Sequence, residues 1–295
     1  MVNIKSQTSF INKKSIGYFY IAPISIVLLA LVLYPFIYGI YISFFDTNLV
    51  RRWDFVGLSN YRSALSQSQF WNSVNHTVTF TIWVVLGHFF LGLLYATLLN
   101  QDIRFKTFFR AVLLLPWIFP EVVIANVWKY ILLPSSGLLN GILLNYHLIS
   151  EPISFFGSKS GAMASIIFIC IWKGFPLVMI QILAGLQTVP GALKEAAIID
   201  GASPLQTFWK IIIPSLKTTL VVTLILDTVW WFKHVTMIWL LTQGGPNNST
   251  NTLAVDIYKR SFEYFDFGTS GAIAVIVFII CALISLLYRR FLNED

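Results

Sequence analysis

Six apolar stretches dominate the chain, at positions 18–45, 77–99, 108–133, 162–183, 216–241 and 271–292. Each reaches the roughly 20 residues an α-helix needs to cross the hydrocarbon core of a bilayer. No water is available there to satisfy backbone N–H and C=O groups, and a helix satisfies them within one segment. Composition agrees, with 57% hydrophobic and 11% charged residues, where a soluble domain averages about a quarter charged. The 25 Phe, 12 Tyr and 10 Trp residues exceed what one water-soluble core of 295 residues would hide. The expected fold class is therefore all-α, a polytopic membrane protein with six transmembrane helices forming one domain over residues 1–295. The first stretch outruns the roughly 7–15-residue apolar core of a signal peptide, and Tyr34 and Pro35 stand where a small-residue cleavage site belongs, so it reads as an anchor.

Six spans put both termini on one side, and the Lys/Arg bias decides which. One set of segments holds eleven (Lys5, Lys13, Lys14, Arg104, Lys106, Arg110, Lys194, Lys210, Lys217, Arg289, Arg290), the other six (Arg51, Arg52, Arg62, Lys159, Lys259, Arg260). Both termini are thus expected in the cytoplasm. The formal charge of +7 is scattered between apolar runs, which argues against a nucleic-acid partner. Cys170 and Cys281 lie singly in apolar runs, so neither a disulfide framework nor a metal-ligand spacing is present. There is no Gly-x4-Gly-Lys-Ser/Thr loop to cradle ATP phosphates, and no His-Glu-x-x-His or Gly-x-Ser-x-Gly to supply a metal site or nucleophile. No catalytic residue or metal ligand is assigned. Pro35, Pro116, Pro120 and Pro176 fall within the runs and predict kinks, tolerated where neighbouring helices or a wet cavity satisfy the freed carbonyls.

The segment 190–214, between the fourth and fifth runs, is too polar to span and too patterned for a passive linker. Positions 192–199 are good helix formers, Asp200-Gly201 stops them, and Ser203-Pro204 reads as an N-cap followed by a first-turn proline. A second helix is expected over 204–212. Two short helices meeting at a glycine make a knob, with Leu193, Ala196, Ala197, Leu205 and Phe208 available to fill a partner's groove.

Glu195-Ala196-Ala197, Gly201, Ile211 and Ile213-Pro214, at this spacing, resemble the EAA loop of ABC importer permeases. Leu115-Pro116-Trp117, Gly174-Phe175-Pro176 and the segment Leu241-Thr242-Gln243-Gly244-Gly245-Pro246 are similar to the carbohydrate, maltose-type subgroup. The resemblance extends over nearly the whole chain. It implies a six-helix core paired with a second, homologous permease, two cytoplasmic ATPase subunits that bind ATP and Mg and receive the knobs, and an external solute-binding protein. Glu195, Ala196, Ala197, Asp200, Gly201 and Pro214 would be the coupling residues, and this chain would hold no cofactor.

Ionisable groups at bilayer depth cost about 2.5–3.5 kcal/mol each on insertion scales and mark a pathway or a buried pair. Glu121, Lys129, Lys173, Asp227, Lys233 and His234 are such groups, with Lys129 near the outer end of its span and expected to snorkel to the interface, whereas His76, His88 and His147 read as isolated structural residues. At about 100° per helical residue, Asp227, Trp231 and His234 share a face and Lys233 points away. Cys170, Lys173, Gly174 and Leu177 share a face of the fourth run, and Trp117 and Glu121 flank Pro120 on the third. These stripes predict a lined cavity. Family resemblance places sugar contacts on Trp117, Glu121, Cys170, Lys173, Gly174, Leu177, Trp231, His234 and Thr236. A saccharide suits such a wall, since its ring face stacks on indole and its hydroxyls take donors and acceptors. The polar amides usual in the family are replaced by Cys170, Trp231, Lys233 and His234, so maltose itself is not expected. Two lysines point to an acidic, uronate-containing oligosaccharide. Their cancellation by Glu121 and Asp227 points equally to a neutral one. The rival readings are an ABC permease for another solute class, an ion- or proton-coupled secondary transporter relaying through Asp227, Glu121 and His234, and a membrane-embedded enzyme, for which no catalytic constellation is visible.

Overall fold

The computed structural model describes residues 13–290, with side chains from Tyr20 onward. Lys5, the Lys13 and Lys14 side chains and the end of the last apolar run at 292 lie outside the described residues.

The first span is α1 (Lys13–Leu28), a π-turn (Leu29–Leu33) and α2 (Tyr34–Ile42). A ribbon of β1 (Phe45–Thr47) and β2 (Trp53–Phe55), antiparallel with Phe45 opposite Phe55, leads to α3 (Ser59–Ser66). This ribbon is a small departure from an all-helical expectation. Its turn is held by Asn48, whose side-chain oxygen accepts from the Val50, Arg51 and Arg52 amides. The second span, α4 (Ser68–Leu99), is followed by α5 (Lys106–Ile118), α6 (Glu121–Ile131) and the short α7 (Leu138–Asn145). The fourth span is α8 (Lys159–Thr188). Next come α9 (Gly191–Ile199), α10 (Pro204–Thr207), a second π-turn (Phe208–Ile212) and α11 (Ile213–Ser215). The fifth span joins α12 (Lys217–Phe232) to α13 (Thr236–Thr242), and α14 (Leu253–Phe262) precedes the last span, α15 (Phe267–Arg290).

Five of the six apolar stretches become helical segments long enough to cross a bilayer, and the third becomes a bent pair. In the third run, where Pro116 and Pro120 predict a kink, the structure has a break: α5 and α6 meet at 92°, whereas Pro176, at which a kink is also expected, lies inside the uninterrupted α8. The two prolines of the third run act differently. Pro116 sits inside α5, while Pro120 forces its predecessor Phe119 into extended backbone (ψ 140°) and is itself extended, so two consecutive non-helical residues turn the chain. The fifth span is also interrupted, at Lys233–Val235, without a proline.

Both π-turns end two residues before a proline, Pro35 and Pro214. A proline offers no N–H to the carbonyl four residues back, here Leu31 or Lys210, and its ring crowds that carbonyl; a wider turn relieves the clash. The helix expected over 204–212 is accordingly α only to Thr207.

Long, closely apposed α4 and α8 form the spine. Their approach depends on Gly92, where a Cβ would sit 2.8 Å from Val178 Cγ1 and 3.1 Å from the Met179 amide. One apolar cluster packs α4, α6, α8 and α13 around Ile166, Ile169, Met237 and Ile238. A second packs α4 and α8 around Ala96, Met179 and Ile182, and a third joins α4, α12, α14 and α15 at Phe70, Phe232 and Ile273. Cys170 and Cys281 are buried free thiols, as their apolar surroundings predict.

Candidate functional site: a cavity between two interrupted helices

A cavity of about 320 Å³ opens where both broken spans face α8, lined by Trp117, Glu121, Lys173, Gly174, Leu177, Gln181, Leu226, Asp227, Trp230 and Trp231. The break in the third span explains why charges stand here. The end of α5 leaves backbone carbonyls without intrahelical donors, and Lys173 Nζ donates to the Trp117 carbonyl oxygen at 2.8 Å. A cation is also favoured at the negative end of a helix dipole, and an anion at the positive end. Glu121 occupies that second position, in the first turn of α6. Two charges that looked costly at bilayer depth thus cap the two ends made by Phe119 and Pro120.

His234 does the same for the fifth span. Its Nε2 accepts from the Met237 amide at 3.4 Å, at the start of α13. That nitrogen therefore presents a lone pair, and its 3.7 Å separation from Glu121 Oε2 is beyond a hydrogen bond. Thr236 lies beside the Glu121 carboxylate.

The stripes read from sequence converge in large part: Trp117, Glu121, Lys173, Gly174, Leu177, Asp227 and Trp231 all line the cavity. Cys170 does not; it is fully buried behind the wall. His234 and Thr236 lie past the end of α12 rather than on its stripe, and Lys233 is exposed at the break, away from the lining. Gln181, Leu226 and Trp230 complete the wall and went unread. A signal existed for Gln181, which extends the α8 row Lys173, Leu177 by one more step of four.

His88 is the larger omission. Read as an isolated histidine, it is instead fully buried and bonded to Asp227, with Nδ1 at 3.0 and 3.2 Å from the two carboxylate oxygens. Its Nε2 donates to the Cys170 carbonyl at 3.1 Å, tying α4, α8 and α12 together. No local pattern announces a partner 139 positions away.

Away from the cavity, residues 190–214, hereafter the knob, hold two short helices, α9 and α10, on either side of Gly201, followed by a π-turn. Gly201 turns the chain at φ +75°, and Ser203 and Gln206 form a reciprocal capping box, 3.3 Å from the Gln206 amide to Ser203 Oγ and 2.8 Å from the Ser203 amide to Gln206 Oε1. Glu195, Ala196, Asp200 and Pro214 are exposed, while Ala197 is buried against the body. Ile198, Ile199, Leu205 and Trp209, between 55% and 85% exposed, form an apolar cap on the knob. Of these, only Leu205 was picked out from the sequence.

The sequence model of binding-protein-dependent transport system inner membrane components matches residues 88–293. The chain belongs to this family. It is therefore an inner-membrane transport component with several membrane-spanning helices. It is 33% identical over 292 residues to the trehalose/maltose transport system permease protein MalF of Thermococcus litoralis, covering 98% of this chain and 97% of that relative. It is 33% identical over 258 residues to the multiple sugar-binding transport system permease protein MsmF of Streptococcus mutans, covering 86% and 87%. In shape it is similar to a chain in the crystal structure of a bacterial alginate ABC transporter in complex with an alginate pentasaccharide-bound periplasmic protein, with a TM-score of 0.81 over 98% of both chains at 20% identity, a likeness of fold alone.

Proposed function

We propose that this chain is the permease subunit of an ATP-driven importer of an oligosaccharide, lining half of the translocation path and hydrolysing nothing itself. The observation that carries the reading is the cavity between two interrupted helices, the arrangement by which membrane carriers build a polar site at bilayer depth. Its three indoles supply stacking surfaces, while Gln181, Lys173 and Glu121 supply donors and acceptors for hydroxyls. Relatives named for trehalose/maltose and multiple sugars support the carbohydrate class.

Half a path is the natural count. Trp117, Leu226 and Trp230 are 45%, 57% and 58% exposed, and a wall carrying Glu121 and Lys173 does not face lipid tails stably. A second, homologous permease would close it. ATP and Mg would bind two partner ATPase subunits that grip the exposed knob through Glu195, Ala196, Gly201 and the apolar cap around Ile198 and Ile199. An external binding protein would deliver the sugar, and both termini would lie in the cytoplasm. The cycle is a population shift between inward- and outward-open states, driven by nucleotide binding one state more tightly.

The charge balance favours a neutral sugar over an acidic one. Lys173 is engaged by the Trp117 carbonyl and countered by Glu121, and Lys233 lies outside the lining. Reconstitution of the four-subunit complex with its binding protein tests this, using ATP-dependent uptake of maltotriose and trigalacturonate. Faster uptake of the neutral probe is expected; preference for the uronate would reverse the charge assignment. Uptake by the lone chain driven by an ion gradient would favour a secondary carrier instead.

A further inference from the structure

His88 touches the cavity only through its neighbours, yet its hydrogen bonds constrain the charge of the wall. The Cys170 carbonyl oxygen can only accept, so His88 Nε2 carries a hydrogen. If Nδ1 were then bare, a lone pair would face an ionised carboxylate at 3.0 Å, which is repulsive. One further proton therefore lies between Nδ1 and Asp227, and whichever atom holds it, the pair is neutral as a whole. The arrangement is tightly wedged. The imidazole meets Trp231 edge-on with centroids 5.1 Å apart, and a Cβ at Gly174 would collide with the His88 ring and approach Trp231 Cζ2 to 2.8 Å.

We propose that His88 is a positioning residue that sets the charge preference of the sugar path. By cancelling Asp227 from behind, it leaves the cavity with only the mutually balancing Lys173 and Glu121, so the wall presents hydrogen-bonding groups without net charge. The proposal rests on reading the cavity as that path. It predicts the sign of the change when the ring that shares this proton is lost: in His88→Gln the lone Asp227 carboxyl can only be neutral or negative, so the lining shifts toward negative charge. Asp227→Asn in the same chain removes it again.

Tryptophan fluorescence of the purified permease–ATPase complex, titrated with maltotriose and with the cationic glucosamine trimer, reads this directly, because Trp117, Trp230 and Trp231 line the cavity. His88→Gln should tighten the glucosamine trimer relative to maltotriose by about tenfold, the scale of one hydrogen bond to a charged group. The double variant His88→Gln/Asp227→Asn should return to the wild-type ratio. An unchanged ratio in His88→Gln, or a shift that Asp227→Asn does not reverse, overturns the proposal and leaves His88 a packing residue. If His88→Gln alone fails to assemble, the double variant decides: assembly with a wild-type ratio supports charge compensation, and failure of both overturns it. A wild-type complex that binds neither probe would sink the cavity reading and this proposal with it.

Discussion

Gly174 shows how little freedom the site leaves at a single residue. The hydrogen atom it carries in place of a side chain is what lets His88 and Trp231 close over α8. Gly174→Ala is expected to destabilise the protein by about 1–3 kcal/mol, the usual cost of overpacking, visible as a lower thermal midpoint of the detergent-solubilised complex. Lys173 makes a complementary case. Replacing it with Met keeps the apolar stem but removes the donor to the half-exposed Trp117 carbonyl, at a cost of about 0.5–1.5 kcal/mol, the net worth of a hydrogen bond. Lys173→Arg retains a donor and should recover much of that loss in the same melt. Equal midpoints for the Met and Arg variants would show that the hydrogen bond at 2.8 Å contributes nothing measurable.

The decisive elements are the interruptions and the knob. Pro120 breaks the third span because it pushes Phe119 out of helical backbone, so Pro120→Ala is expected to let α5 and α6 join and to abolish sugar-stimulated ATPase activity while the complex still assembles; retained stimulation would mean that the break does not depend on this residue. In the knob, Gly201 has open space around its Cα but a φ of +75°. Its constraint is therefore backbone alone, and substitutions should rank by tolerance of left-handed backbone, not by size. Gly201→Asn should keep ATP-coupled uptake near wild type, since Asn visits that region, whereas Gly201→Val bears roughly 1–2 kcal/mol of strain and should uncouple transport from hydrolysis. A Val variant as well coupled as the Asn variant would contradict this.

At the scale of the molecule, the proposed function makes the exposed cavity and the apolar cap of the knob surfaces for other chains. The orientation expected from the charge bias has a direct check, because both native cysteines are buried. A membrane-impermeant maleimide applied to right-side-out vesicles should label Glu151→Cys and spare Lys194→Cys, with the reverse in inverted vesicles. Cross-linking from Ile198 and Leu205, both exposed, should capture an ATPase subunit; products confined to lipid or to this polypeptide would remove the mechanical link between nucleotide and cavity.

The sequence by itself determined the six apolar runs, the side chains that face one another along each helix, and the knob, because these depend on periods of a few residues and on the local chemistry of glycine, proline and caps. It also marked Lys173, Glu121 and Asp227, because charge in an apolar run is conspicuous wherever it falls. What those charges do was decided only by the fold. Whether Lys173 bonds a carbonyl 56 positions away, and whether His88 is idle or bound to Asp227, depend on helices distant in sequence meeting at one depth. No local pattern records those meetings, since they are set by how α4, α8 and α12 pack against each other.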